Sequence, residues 1–140
     1  MRKSTSAPLK KSDFEVLSEF RYQMRRFERF SENIVQAEGI TSLQYLLLLH
    51  LKGFPNRAWA NIGELATRLQ AKPHGVVALV TRCEMLGLVK RVPCLVDRRQ
   101  IEVHLLPAGE QILSRLAQLH RRELATLHGV FTVPTIATTE

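Results

Sequence analysis

Residues 61–106 read NIGELATRLQAKPHGVVALVTRCEMLGLVKRVPCLVDRRQIEVHLL, and the changing rhythm of this stretch decides the fold. Asn61, followed three residues on by Glu64, offers a side-chain acceptor and a reciprocating carboxylate to the free amides of a helix start. Ile62, Leu65, Ala66 and Leu69 then share one face of that helix, which ends near Gln70. Lys72-Pro73 opens a second helix, because proline lacks only an N–H that a first turn leaves unused. Val76, Val77, Val80, Cys83 and Leu86 are expected inward, leaving Lys72, His74, Gly75, Ala78, Thr81 and Arg82 outward until Gly87 stops the helix. Leu88–Val92 and Ile101–Leu106 are rich in strand formers, and 93–100 between them carries Pro93, Asp97, Arg98 and Arg99. A β-hairpin with a basic tip is expected.

Working outward, Ser12-Asp13-Phe14-Glu15 reads as another capping box, opening a long helix to about Ala37 with Phe14, Leu17, Phe20, Met24, Phe27 and Ile34 as its apolar stripe. Thr41-Ser42-Leu43-Gln44 starts a helix to about Lys52 that is apolar almost all round and therefore expected to be central. After the hairpin, Pro107-Ala108-Gly109 leads into a helix carrying Ile112, Leu113, Leu116, Leu119 and Leu124, running to about Leu127. The expected organisation is a basic tail (1–11), N-terminal helices (12–56), a helix-helix-hairpin lobe (57–106), a C-terminal helix (107–128) and an irregular end (129–140).

Charge supports this division. Of the net +7, residues 1–11 carry +4 and 57–104 carry +4, while 12–56 are −1 and 105–140 neutral. A pI near 10 points to a polyanion, and its location restricts which part would meet one. The longest apolar run, Leu46 to Leu49, is far short of a membrane span of roughly 20 residues. The start lacks a secretory apolar core, so a soluble, cytoplasmic chain without membrane partners is expected. Cys83 and Cys94 form no CxxC pair and the five histidines show no HxxxH spacing, so neither metal nor cofactor is expected. No GxSxG, phosphate loop or paired carboxylates with a plausible base occurs, and a catalytic role is not expected.

A short helix, a turn, a second helix with small and basic outward residues, and a basic hairpin follow the order of a winged helix-turn-helix. Small residues near the start of the second helix allow close approach in a major groove, and the hairpin reaches a neighbouring groove or phosphate. Such helix pairs also occur as plain packing units, and a winged helix serving only protein interaction is the competing reading. That reading leaves the hairpin arginines unexplained.

These residues resemble the MarR family (multiple antibiotic resistance regulators) from about Phe20 to Leu124. The most specific pieces are Ile62-Gly63-Glu64-Leu65-Ala66, Gly87-Leu88-Val89-Lys90-Arg91 and Asp97-Arg98-Arg99, the last matching a DxR signature through Asp97 and Arg99. The resemblance implies a mainly α fold with a small β-hairpin wing. It implies a homodimer joined by its N- and C-terminal helices, acting on double-stranded DNA as a transcriptional regulator, expected to be a repressor. It assigns Arg99 to the minor groove, braced by Asp97, with Arg98 beside it and Lys72, His74, Gly75 and Arg82 on the recognition surface. Two departures are visible. Leu106 stands where the family has a capping threonine, a loss of about 1 kcal/mol, and 129–140 lack the pattern of the family's last helix.

The resemblance further implies an aromatic or lipophilic effector. Arg21, Arg25 and Arg29 at i, i+4 spacing beside Tyr22, Phe27 and Phe30 are a set that could hold a carboxylate against an apolar wall. A solvated face paired with Glu28 and Glu32 is the competing reading. His50, alone in an apolar helix, is a further effector candidate or a satisfied core histidine. Cys94, among Lys90, Arg91, Arg98 and Arg99, is a candidate redox sensor, whereas Cys83 reads as a buried small apolar residue.

Overall fold

Cap chemistry sets most of the element boundaries in the computed structural model, which describes residues 7–129 and 131–136. Helix α1 (Lys11–Ala37) starts two residues earlier than the Ser12 box predicts, with Lys10 as its N-cap. The Lys10 amide donates to the Asp13 carboxylate at 2.8 Å, so Asp13 takes the reciprocating role expected of Glu15, and Ser12 falls inside the first turn. Helix α2 (Ser42–Lys52) is capped as expected: the Gln44 amide donates to Thr41 Oγ1 and the Thr41 amide to Gln44 Oε1.

Strand β1 (Trp59–Asn61) follows, which the sequence did not reveal. Three residues are too short for a periodic signal, and its partner lies more than forty residues away. Helices α3 (Ile62–Leu69) and α4 (Pro73–Met85), strands β2 (Val89–Pro93) and β3 (Ile101–Leu105) and helix α5 (Pro107–Thr126) complete the order. The sheet is therefore three-stranded and antiparallel, in the order β1-β3-β2, with Ala60 opposite Val103 and Val103 opposite Arg91.

The core joins Val35 of α1, Leu47, Leu48 and Leu51 of α2, Leu65 of α3, Val76 and Val80 of α4, Val89 and Val103 of the sheet and Leu116 of α5, all fully buried. Helix α2 is central on one face only, since Leu43, Leu46 and Leu49 lie exposed at i, i+3, i+6 on the other. In α4 the buried stripe is Val76, Leu79, Val80 and Cys83, so the inward expectation fails for Val77 and Leu86 and misses Leu79. The reason is angular: 76, 79, 80 and 83 close one stripe at 3.6 residues per turn, and 77 stands a further 100° round.

Several contacts fix α5 against the rest, among them an ion pair between Lys52 of α2 and Glu110 at 2.6 Å. His120 is buried: its Nδ1 donates to the Leu116 carbonyl, its Nε2 accepts from the Ser31 hydroxyl at 2.8 Å, and its ring stacks on Tyr45 at 4.9 Å. Since a carbonyl can only accept, this bonding defines the tautomer of the neutral ring. Glu38 accepts two hydrogen bonds from Arg115. Gly109 lies over Leu88, where a Cβ would collide with the Leu88 carbonyl oxygen, so glycine is what lets α5 begin this close to the wing. Leu106 indeed provides no side-chain cap, and its amide donates to the same Leu88 carbonyl at 2.9 Å. Beyond α5, 131–136 have no regular structure, and Phe131 stacks on Phe20 of α1 at 5.4 Å. Arg2 and Lys3 of the basic tail lie outside the described residues. Among the described residues, no helix is long and apolar enough to cross a membrane.

Candidate nucleic-acid interface

The start of α4 gathers three of the sequence-predicted residues on one exposed turn. Lys72 is its N-cap and His74 and Gly75 follow in the first turn, all solvent-exposed. Gly75 has open space above it, so no side chain prevents close approach of another surface there. Gly75, Ala78 and Arg82 stand at i, i+3, i+7 and form one outward face; a helix rises 1.5 Å per residue, which places Arg82 about 10 Å along the axis from Gly75.

Charged residues of the lobe divide into two groups that the sequence could not separate. Arg57 and Arg91 are consumed internally. Arg57 pairs with Glu64 and lies over the rings of Phe54 (4.4 Å) and Trp59 (3.9 Å), while the other oxygen of Glu64 caps α3 by accepting from the Asn61 amide. Arg91 reaches from β2 across α4. Its Nη1 donates to Glu84 at 3.0 Å and its Nη2 to Thr81 Oγ1 at 2.7 Å and the Val77 carbonyl at 3.1 Å. Arg91, rather than Arg82, is therefore the partner of Glu84, and Thr81 is committed to this strut. By contrast, Lys72, Arg82, Arg98 and Arg99 have exposed side chains with no hydrogen-bonded or ionic partner among the described residues. With Lys90 of β2, which is likewise exposed and without such a partner among the described residues, five cations are left facing outward from α4 and the wing.

The wing turn is closed by its own backbone. The Cys94 amide donates to the Gln100 carbonyl, and the Gln100 amide to the Asp97 carbonyl. Asp97 Oδ1 accepts from the Arg99 backbone amide at 3.0 Å. The brace implied for Arg99 thus acts on its main chain: a carboxylate two residues back shapes the turn and leaves the guanidinium free. Arg99 also borders a shallow cleft with Asn61, Ile62 and Gly63 at the start of α3. Cys94 is half-buried at the base of the turn, and burial pushes the Cys83 thiol up to about 11.

The expected effector set is not assembled. Arg21, Tyr22 and Arg25 lie exposed on α1, and the clefts they border are lined by α1 residues alone, so they are furrows along one helix. Phe27 and Phe30, expected as their apolar wall, turn instead toward His120 at 6.0 Å each. His50 borders neither furrow; it is half-buried on α2, its basicity lowered first by burial and then by Arg68. His120, whose ring joins α1, α2 and α5, gave no sequence signal, since a histidine in an amphipathic helix reads equally well as exposed.

Helices α2, α3 and α4 packed on one another, followed by a hairpin whose sheet is completed by β1, define a winged helix-turn-helix protein. Residues 38–100 match the model of the MarR family. Over 103 residues it is 29% identical to a proposed transcriptional regulatory protein for the hcr operon of Thauera aromatica, covering 74% of this chain and 60% of that protein. The chain thus spans about three fifths of that relative's length. A MarR family protein from Bacillus stearothermophilus superposes with a TM-score of 0.75 at 25% identity, covering 90% of this chain and 86% of that one. A mutant MarR from Escherichia coli, solved in complex with operator DNA, gives 0.67 at 20% identity, covering 85% and 83%.

Proposed function

We propose that this chain is a sequence-specific DNA-binding transcriptional regulator that acts as a homodimer on a pseudo-palindromic operator, in the repressing sense, in the cytoplasm. The observation that carries the reading is the sorting of charge. Within one lobe, Arg57 and Arg91 are neutralised by Glu64 and Glu84, while Lys72, Arg82, Arg98 and Arg99 project from α4 and the wing without partners among the described residues. Unpaired cations on a helix and a neighbouring hairpin suit a duplex, where phosphates line the grooves that such elements enter. In this reading the N-terminal turn of α4, with Lys72, His74 and Gly75, enters the major groove, Arg82 meets a flanking phosphate, and Arg98 and Arg99 reach the adjacent minor groove. Focused negative potential there favours a guanidinium.

Dimerisation through α1 and α5 is supported by the apolar side chains they leave exposed, Phe14, Val16, Tyr22 and Leu124. An aromatic acid effector enters the proposal only through Arg21, Tyr22 and Arg25 on the open face of α1. The test is a mobility shift with duplex DNA across a salt series. Each protomer presents five free cations on α4 and the wing, so affinity should fall with salt, with a log–log slope of about −4 to −5 per protomer. Arg99→Ala should weaken binding about tenfold or more while leaving the oligomeric state unchanged. Absence of any shift at low ionic strength would overturn the proposal.

A further inference from the structure

Leu95 and Val96 are 98% and 96% exposed, the most solvent-exposed large apolar side chains among the described residues. They are not on a loose end. The Cys94–Gln100 and Gln100–Asp97 backbone bonds and the Asp97 carboxylate on the Arg99 amide hold the turn, so the two aliphatic side chains stand together at the tip of a stiff hairpin. Directly beside them Arg98 and Arg99 extend without partners among the described residues, and the local acid, Asp97, is turned onto the backbone. Full exposure of two aliphatic groups is unfavourable in water and is relieved by an apolar surface. The flanking guanidinium groups require that surface to be bordered by anions.

Resting on the DNA-binding reading above, we propose that Leu95 and Val96 form an apolar wedge that packs against the deoxyribose walls and floor of the minor groove. Arg98 and Arg99 hold the phosphates and groove edges on either side. Minor grooves offer such a surface, and protein wedges of leucine, isoleucine or phenylalanine occupy them elsewhere. The wedge also confers selectivity. The 2-amino group of guanine projects from the floor of a G·C pair and is absent from A·T, so a close-fitting aliphatic tip discriminates against G·C at the bases beneath it.

Inosine separates groove from base identity, because an I·C pair lacks the guanine amino group yet keeps the major-groove pattern of G·C. The experiment measures binding by fluorescence anisotropy at low salt to duplexes of roughly two helical turns made of alternating dA–dT, dI–dC or dG–dC. Wild-type protein should bind dA–dT and dI–dC about tenfold tighter than dG–dC. The Leu95→Ser, Val96→Ser double variant should keep its dG–dC affinity and salt slope and lose most of that preference. Its urea midpoint should not change. The wedge is overturned if dI–dC binds like dG–dC, which would assign any preference to the major groove, or if the double variant retains the wild-type preference. It is also overturned if the variant changes only the oligomeric state in light scattering, which would make the tip a contact between copies. Wild-type binding to all three duplexes without preference overturns the wedge alone, whereas no binding to any duplex overturns the DNA-binding reading with it.

Discussion

Arg91 provides the most direct test of how the wing is held to α4. Its side chain makes three hydrogen bonds, to Glu84, Thr81 and the Val77 carbonyl, and its backbone amide makes a fourth, to Glu84 Oε2 at 2.9 Å. The worth of the strut follows from exposure. A hydrogen bond to a charged group contributes about 1.5–3 kcal/mol when buried, but exposed ion pairs contribute about 0–1. The Arg91 side chain is 24% exposed and that of Glu84 is 41%, which places their coupling toward the lower range. The groups left behind are also not orphaned: the Thr81 hydroxyl still donates to the Val77 carbonyl at 3.0 Å. Arg91→Ala should therefore cost about 1–2 kcal/mol in urea denaturation, and a cycle with Glu84→Ala should give a coupling of about 1 kcal/mol. Arg91→Lys is the decisive control. It keeps the charge but cannot span three acceptors with a planar fork, so it should lose most of the coupling. A coupling below about 0.3 kcal/mol, or full retention in the lysine variant, would show that these contacts do not hold the wing to α4.

Gly109→Ala should destabilise the fold by about 1–3 kcal/mol, read as a lower urea midpoint, because the added methyl meets the Leu88 carbonyl and α5 must move away from the wing. His50 has a pKa below its ordinary 6.5, so the unfolded chain takes up the proton first; its contribution to stability is complete above about pH 6.5 and declines as pH falls. His50→Gln should flatten that decline in urea midpoints compared between pH 7.5 and 5.5, and an unchanged profile would remove His50 as its source. Thiol labelling of the native protein with a disulfide reagent at pH 8 should modify Cys94 quickly and Cys83 only on unfolding, since Cys83 is buried with a pKa of about 11.

The sequence by itself determined the helix starts at Thr41, Asn61 and Pro73, the hairpin after Gly87, and the outward set Lys72, His74, Gly75 and Arg82. Each of these depends on groups within about four residues of one another, where cap bonds, proline sterics and helical period act. Tertiary structure decided the rest. Strand β1 exists because β3 pairs with it, Gly109 matters because Leu88 lies above it, and His120 is buried because Ser31 and Tyr45 come from two other helices. Most importantly for function, a sum of charges could place +4 in the lobe but not say which cations were free. That depended on Glu64 meeting Arg57 and Glu84 meeting Arg91, each seven residues away and across an element boundary. Ion pairing falls off over a few ångströms in water, so which cations face a partner is fixed only once the chain has folded.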